Sequence, residues 1–189
     1  TSKFAVGRLD APVVDKDAQL FTSPFTVSVN IPSGTTLRYT TDGTTPTLSN
    51  GYTSQTGLFN VSSTTTYRFR LFKDGVLPSE VVTRSYIFRD RDYVLPVISI
   101  VTDRDNIYGD SLGILVQGVN GRTGNGYSTP CNWNMDWDRP VNFEYITADG
   151  KMVINQEVDM SACGGWSRAY SPHSFKLKAD KIYEGKNFY

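Results

Sequence analysis

Apolar side chains recur at every second position through residues 25–88, and this alternation constrains the fold more than any other feature of the sequence. Successive side chains of a strand point to opposite faces of a sheet, so a two-residue period predicts strands with one buried face. Residues 25–29 show the period first. Residues 67–71 repeat it, and there we expect the interleaved Arg68 and Arg70 to stand in water.

The segments between these apolar runs are rich in Gly, Pro, Asn and Asp. One of them, Asp-Gly-Thr-Thr-Pro at residues 42–46, has the composition of a tight turn, because Gly accepts a positive φ and Asp accepts local backbone N–H bonds. Short strands separated in this way are typical of an antiparallel sandwich. No part of this half has the periodicity of a helix.

The composition excludes several classes of protein. Nineteen Lys and Arg balance nineteen Asp and Glu, so the chain lacks the basic excess of a nucleic-acid binder. At 39% hydrophobic and 20% charged residues it is too apolar for a disordered chain and too polar for a membrane protein. We therefore expect a globular protein with no nucleic-acid partner and no membrane span.

Four segments of the first half carry a family signature: Leu-Arg-Tyr-Thr-Thr-Asp-Gly-Thr-Thr-Pro-Thr at residues 37–47, Tyr52, Thr-Tyr-Arg-Phe-Arg at residues 66–70, and residues 79–88. They resemble the chitobiase/hexosaminidase C-terminal family of immunoglobulin-like or fibronectin-like modules, over about residues 12–88. The resemblance implies an accessory, non-catalytic module attached to secreted or surface enzymes. It implies no particular ligand.

The character of the sequence changes after the charged run at residues 89–92, which we take as a linker between domains at residues 1–90 and 91–189. Three carboxylates at residues 103–110 lack the spacing of a calcium loop, and an Asp-capped helical turn is the favoured reading. The glycine-rich residues 118–126 lack the context of a phosphate-binding motif and predict a mobile surface loop.

Asp149-Gly150 predicts a β-hairpin between residues 139–147 and 151–161. A turn centred on this pair makes the numbers of opposite residues sum to about 299. On the same count Cys163 lies opposite about Asp136, five residues from Cys131, so a disulfide requires the Cys131 segment to fold back toward the base of the hairpin. Two cysteines in an apparently exported chain favour a disulfide, so Cys131 and Cys163 are a candidate pair.

Six segments of the second half recur in one family, at residues 95–103, 113–118, 137–145, 149–150, 164–168 and 174–177. They resemble the opening part of the spore-coat CotH kinase family, in which a chitobiase-type module commonly precedes the kinase-like domain. The resemblance implies an exported atypical protein kinase fold that transfers the γ-phosphoryl group of ATP to Ser-rich proteins. We expect the catalytic Asp and the metal ligands, and with them ATP and Mg²⁺, in a portion of the parent protein beyond residue 189.

Within this second segment the candidates for phosphate contact are Gly164, Gly165, Arg168, Lys176 and Lys178. Basic residues on the wet face of strands are the alternative reading, and the favoured one. The family usually has Lys just before the Ser-Phe pair, whereas this chain has His173.

Three further side chains have a chemical reading. His173 is the only histidine, so a His-based metal cluster cannot form, and we expect it to be exposed or hydrogen-bonded. Trp133 and Trp166 flank turns, where exposed aromatic rings stack on sugars, so carbohydrate binding is an alternative function.

These observations predict a mainly β chain: an immunoglobulin-like antiparallel sandwich, followed by the β-rich amino-terminal part of an atypical kinase-like α+β domain. The leading function is a non-catalytic accessory or structural part of an exported CotH-like protein at a cell surface or coat. A carbohydrate-binding or adhesion module is the first alternative. A fragment of an active secreted kinase that phosphorylates Ser-rich proteins is the second. The expected partners are the remainder of the parent protein, a polysaccharide or a Ser-rich coat protein.

Overall fold

The computed structural model describes residues 7–124, 127–183, 185, 187 and 188. Strands account for 41% of the residues and helices for 6%, which makes the chain mainly β, as predicted. The chain divides into two compact units. The first comprises residues up to Ile98 together with Glu144–Val153, and the second comprises Ser99–Phe143 together with the residues from Ile154 onward.

The first unit contains two sheets. Its strands are β1 (Gln19–Phe21), β2 (Phe25–Ser28), β3 (Thr36–Thr40), β4 (Tyr52–Ser54), β5 (Leu58–Val61), β6 (Thr65–Phe72) and β7 (Val82–Phe88). Five of them form a sheet in the order β1-β7-β6-β3-β4, and β2 pairs with β5 in a second sheet. All of these pairs are antiparallel except β1 with β7.

The predicted apolar face forms one core between these two sheets. Its buried members come from both: Phe21, Val27, Val29, Leu37, Phe59, Val61, Tyr67, Phe69, Leu71 and Tyr86. Aromatic rings fill its centre, and Tyr67 stacks on Phe69 with ring centroids 5.4 Å apart. The two-residue period therefore predicted the inner face and the sandwich architecture correctly.

The opposite face of β6 differs from the prediction. Arg68 is only 5% exposed, because its Nη1 donates to the Gly43 carbonyl (2.9 Å) and to Thr45 Oγ1 (3.1 Å). Arg70 is half-buried and donates from Nε to the Ser79 carbonyl (2.8 Å). Both arginines lie against loops rather than in water, since backbone carbonyls without a strand partner need a donor.

The second unit is built around part of a four-stranded sheet in the order β13-β12-β11-β8. The remaining elements are β8 (Val97–Val101), α1 (Arg104–Tyr108), β9 (Arg122–Gly124), β10 (Tyr127–Cys131), β11 (Arg139–Ile146), β12 (Met152–Ala162) and β13 (Phe175–Lys178). Short 3₁₀ turns occur at Asn132–Asn134 and Trp166–Arg168. The division between the units passes through β8, β11 and β12.

The residues at the tip of the β11–β12 hairpin group with the first unit. Glu144 is fully buried, and its Oε1 accepts the backbone N–H of Ser85 at 3.1 Å. A Cβ added at Gly150 would lie 3.4 Å from Leu20 Cβ. We expected a domain boundary after residue 90. The compact units instead divide after Ile98, and the tip of the hairpin, Glu144–Val153, belongs to the first unit.

The hairpin turn contains one residue more than the Asp-Gly prediction assumes. Gly150 donates its N–H to the Thr147 carbonyl (2.8 Å), and Thr147 donates its own to the Lys151 carbonyl (2.9 Å). Gly150 has a φ of 94°, so residues 147–150 form a turn followed by a glycine bulge. Thr147 and Lys151 sum to 298, and the predicted register is therefore wrong by one at the turn.

Two further local predictions have different outcomes. The predicted helical turn after Asp103 exists as α1, but without a side-chain capping bond. The predicted loop at residues 118–126 is in part a β-ribbon, because β9 pairs with β10; residues 125 and 126 lie outside the described residues. Gly121 lets the backbone at the start of this ribbon approach Cys131 closely, because an added Cβ would lie 1.9 Å from the carbonyl carbon of Cys131.

Replacing Arg68 tests whether it holds the Asp-Gly turn. Arg68→Met removes both hydrogen bonds to the turn, and we expect the local free energy of opening to fall by about 2–4 kcal/mol. Native-state hydrogen exchange at the amides of Thr44 and Asn50 measures this change. Arg91→Met, at a largely exposed side chain, is the matched control. Unchanged protection of both amides in Arg68→Met would refute the anchoring role.

Candidate functional site

The loop between β12 and β13 carries most of the predicted phosphate-binding residues. Its ends are joined by the N–H of Cys163, which donates to the Ser174 carbonyl at 3.0 Å. Within the loop, a 3₁₀ turn spans Trp166–Arg168 and places Arg168 toward the preceding 3₁₀ turn of the second unit. We refer to residues 163–174 as the arginine loop.

The guanidinium of Arg168 donates hydrogen bonds to acceptors within the protein. Its Nε donates to the Gly164 carbonyl (2.6 Å), and its Nη1 donates to the Trp133 carbonyl (3.2 Å) and to Asp136 Oδ1 (2.9 Å). The side chain is 19% exposed. Arg168 thus joins its own loop to residues 133–136, and these contacts compete with any contact to phosphate.

Asp136 also accepts a hydrogen bond from a second arginine. Arg122 donates from Nη2 to Asp136 Oδ2 (2.6 Å) and from Nε to the Asn134 carbonyl (2.6 Å). The hydrogen bond from Arg168 is the main reason that the pKa of Asp136 lies below its ordinary value, and the charge of Arg122 lowers the pKa further. Asp136 also has a φ of 40°, in the left-handed region that Asp and Asn tolerate best after glycine.

The two glycines of the loop have a conformational explanation. Gly164 has a φ of 88°, and an added Cβ would lie 2.1 Å from Ser167 Oγ. Any other residue at this position would strain the backbone and displace Ser167. Gly165 has a negative φ of −95° and precedes the 3₁₀ turn. Gly164 is therefore required by the shape of the loop, independently of any ligand.

The two lysines of β13 lie on the surface. Lys176 is exposed and faces Ser161 across the strand pair. Lys178 pairs with Asp180 at 3.2 Å, and this hydrogen bond is the largest cause of a raised pKa for Lys178. The pKa of Asp180 is lowered mainly by the backbone N–H of Ile182, and the hydrogen bond from Lys178 lowers it further. Both lysines are therefore exposed residues of β13, which lies at one end of the four-stranded sheet order.

Acidic groups of the described residues do not gather into a metal site. Within residues 7–124, 127–183, 185, 187 and 188, three or more His, Cys, Asp or Glu side chains never cluster closely enough to hold an ion. Asp159 accepts the hydroxyl of Tyr183 at 2.8 Å, and burial raises the pKa of Tyr183 above its ordinary value. This hydrogen bond joins Tyr183 to β12.

The two predicted sugar-stacking tryptophans differ in exposure. Trp133 is only 6% exposed and packs near His173, with ring centroids 6.1 Å apart, so its face is not open to a sugar. His173 Nδ1 lies 2.9 Å from the Arg168 carbonyl, within the hydrogen-bonding distance that we expected. Trp166 is 62% exposed. Only Trp166 of this pair fits a stacking role.

Two exposed aromatic residues that sequence analysis missed lie close to Trp166 in the chain. Tyr170 is 59% exposed in the arginine loop, and Phe175 is 42% exposed at the start of β13. Together with Trp166 they form what we call the exposed aromatic set. Aromatic density across residues 166–175 was the available signal, but alternation predicts the buried face of strands and not the rings of an irregular loop.

The two cysteines are both free thiols in the structure. Cys131 is fully buried and Cys163 is half-buried. The predicted disulfide is therefore not formed. Cys131 has a contact of its own, since its Sγ lies 3.4 Å from the Thr129 carbonyl.

The polar residues of the family signature in the first unit form hydrogen bonds within the loop at residues 42–50. Asp42 Oδ1 accepts the N–H (3.0 Å) and the hydroxyl (2.6 Å) of Thr44. Asn50 Nδ2 donates to Thr44 Oγ1 (2.9 Å) and to the Thr45 carbonyl (3.0 Å). Together with Arg68, these side chains fix the turn internally. The signature therefore encodes a fold.

A family model described as Chitobiase/beta-hexosaminidase C-terminal domain matches residues 16–83. The match confirms the first resemblance for this stretch, which runs from β1 to the first residues of β7; we call it the chitobiase-type module. The comparisons give no support for a spore-coat CotH kinase domain. No curated protein matches the chain, and no solved structure does.

In the second unit, the pair of arginines on Asp136 yields a prediction that depends on pH. Asp136→Asn removes the charge and keeps a residue that tolerates the positive φ. A carboxyl whose pKa is lowered in the folded protein contributes its full stability at pH values above its unfolded pKa, here 3.8. It loses this contribution as the pH falls through the lowered pKa. We expect the variant to be less stable than the wild type at pH 7 and the difference to shrink below about pH 3.8.

Urea unfolding followed by tryptophan fluorescence measures this difference, because all three tryptophans lie in the second unit. Asp138→Asn, at a nearby exposed carboxylate, is the control. A difference that is the same at pH 3 and pH 7 would rule out the ionised bridge.

Proposed function

We propose that this chain is a non-catalytic accessory region of an exported CotH-like protein and positions or presents a kinase-like domain at a cell surface or coat. The observation that carries the proposal is the commitment of Arg168 to three acceptors of its own fold. Of the candidates for phosphate contact, this residue has the rigid, multidentate donor that phosphate recognition favours. Its structural engagement favours an accessory role.

The location and the cofactors belong to the same proposal. Chitobiase-like C-terminal domains are typically found in secreted glycosidases, which supports an extracellular or surface location for the parent protein. In this proposal ATP and Mg²⁺ are cofactors of the CotH-like parent protein and are not bound by the residues of this chain. None of the helices in the described part of the chain has the length and apolarity that crossing a membrane requires.

Nucleotide binding distinguishes this accessory role from a kinase fragment. Calorimetry of the 189-residue chain with Mg-ATP should show no saturable heat, and labelled ATP should transfer no phosphate to a Ser-rich acceptor. Lys176→Gln provides the decisive variant, because Lys176 is exposed and its replacement leaves the Arg168 contacts intact. Saturable Mg-ATP binding that Lys176→Gln weakens and Lys151→Gln does not would overturn the proposal.

A second candidate function is carbohydrate binding by the exposed aromatic set. Three large rings within residues 166–175 are 42–62% exposed, although an aromatic ring in water is costly and usually packs against something. Flat apolar rings bordered by polar side chains suit the apolar faces of sugar rings. The polysaccharide partner that the sequence suggested would therefore contact Trp166 and not the buried Trp133.

Affinity electrophoresis in gels containing soluble polysaccharides tests this candidate. Trp166→Ala should weaken a retarding polysaccharide about tenfold, as expected for loss of a central aromatic contact. Tyr52→Ala removes an equally exposed ring in the first unit and should change nothing. Equal retardation of the wild type and both variants would exclude the exposed aromatic set as a sugar-binding surface.

A further inference from the structure

The outer face of the five-stranded sheet holds two arginines directly opposite each other. Arg38 on β3 pairs with Arg70 on β6, so their side chains leave the same face at neighbouring positions. Like charges directly opposite each other in a sheet are destabilising. An arrangement of this kind is expected to be relieved by a negative charge.

The protein supplies carbonyls to these arginines but no carboxylate. Arg38 donates from Nη2 to the Gly51 carbonyl (2.6 Å), and Arg70 donates from Nε to the Ser79 carbonyl (2.8 Å). Arg70 also lies over the Phe72 ring, 5.7 Å from its centroid. Within the described ranges, neither arginine forms an ion pair. Arg38 Nε is a buried donor with no hydrogen-bond partner in that part of the chain.

A pocket opens beside Arg38. It has a volume of about 390 Å³, within the roughly 300–1,000 Å³ typical of small-molecule sites. Arg38, Phe72 and Lys73 line it, as does Asp74 at an exposed turn. Lys73 is exposed and makes no ion pair among the described residues. With Arg70 next to Arg38, three cations outnumber the single carboxylate.

We propose that this pocket binds an oxyanion, either a free inorganic anion or the carboxylate group of an acidic sugar. A guanidinium presents a planar fork of donors that matches the oxygens of carboxylate, sulfate and phosphate. An anion in the pocket meets Arg38 and Lys73 and offsets the repulsion between Arg38 and Arg70. The site belongs to the first unit and is independent of the exposed aromatic set and of the accessory role.

Nuclear magnetic resonance titration tests the site directly. The probes are sodium sulfate against sodium chloride at equal ionic strength, and galacturonate against galactose, which lacks the carboxylate. We expect saturable shifts of the Arg38 and Arg70 Nε–H signals and of the backbone amides at residues 73–76 with sulfate. Galactose and chloride should give none. Saturation with galacturonate as well identifies an acidic sugar as the source, and saturation with sulfate alone identifies a free anion.

Variants separate a site from a general salt effect. Lys73→Gln should weaken binding about two- to fivefold, as expected for an exposed ionic contact. Lys151→Gln, at another exposed lysine of the first unit, should bind as the wild type does. Arg38→Lys keeps the charge, loses the planar fork and should weaken binding further. Lys73→Gln decides the matter if Arg38→Lys fails to fold.

Two results would overturn the proposal. One is the absence of saturable shifts with both sulfate and galacturonate. The other is an equal response of the wild type and Lys73→Gln to either anion, which would show that the shifts report ionic strength and not a pocket.

Discussion

Backbone carbonyls outside strands and helices must find a donor or water, and in this chain arginine side chains meet that need repeatedly. Arg68 and Arg70 donate to carbonyls of loops in the first unit. Arg139 donates to the Leu112 carbonyl (2.9 Å), and Arg122 and Arg168 hold residues 134 and 164 in the second unit. The irregular loops of both units depend on these guanidinium contacts, because a guanidinium offers five donors in a fixed geometry.

This use of arginine changes the functional reading of the chain. A basic residue beside a glycine-rich loop suggests phosphate binding. Arg168 instead donates hydrogen bonds to the carbonyls of Gly164 and Trp133 and to the carboxylate of Asp136. The turn that contains the Asp-Gly signature is likewise held by Arg68, which donates to the Gly43 carbonyl and to Thr45 Oγ1. Chemistry is therefore better sought where charged groups are not used in this way. In the first unit Lys73 meets that condition, and Arg38 beside it meets it in part, because its Nη2 donates to the Gly51 carbonyl while its buried Nε–H has no partner among the described residues. The exposed rings around Trp166 are the corresponding feature of the second unit.

The sequence predicted the inner face of the sandwich because burial repeats with the period of a strand, as at Tyr67 and Phe69. It failed on the outer face, since alternation cannot tell water from an overlying loop, and Arg68 became buried. The hairpin was correct in place and wrong in register, because Asp-Gly fits both a two-residue turn and a turn with a glycine bulge. Trp133 was misjudged for a related reason: its cover comes from residues distant in the chain, including His173.

Exchange of arginine Nε–H protons tests the central claim most directly. Arg70, Arg122, Arg139 and Arg168 each donate from Nε to a carbonyl, whereas Arg104 rests its guanidinium over Tyr108. We expect the Nε–H protons of the four donors to exchange with water more slowly than that of Arg104, and the Arg168 signal to stay unchanged on addition of Mg-ATP. Exchange at Arg168 as fast as at Arg104, with a shift on addition of Mg-ATP, would contradict its structural role.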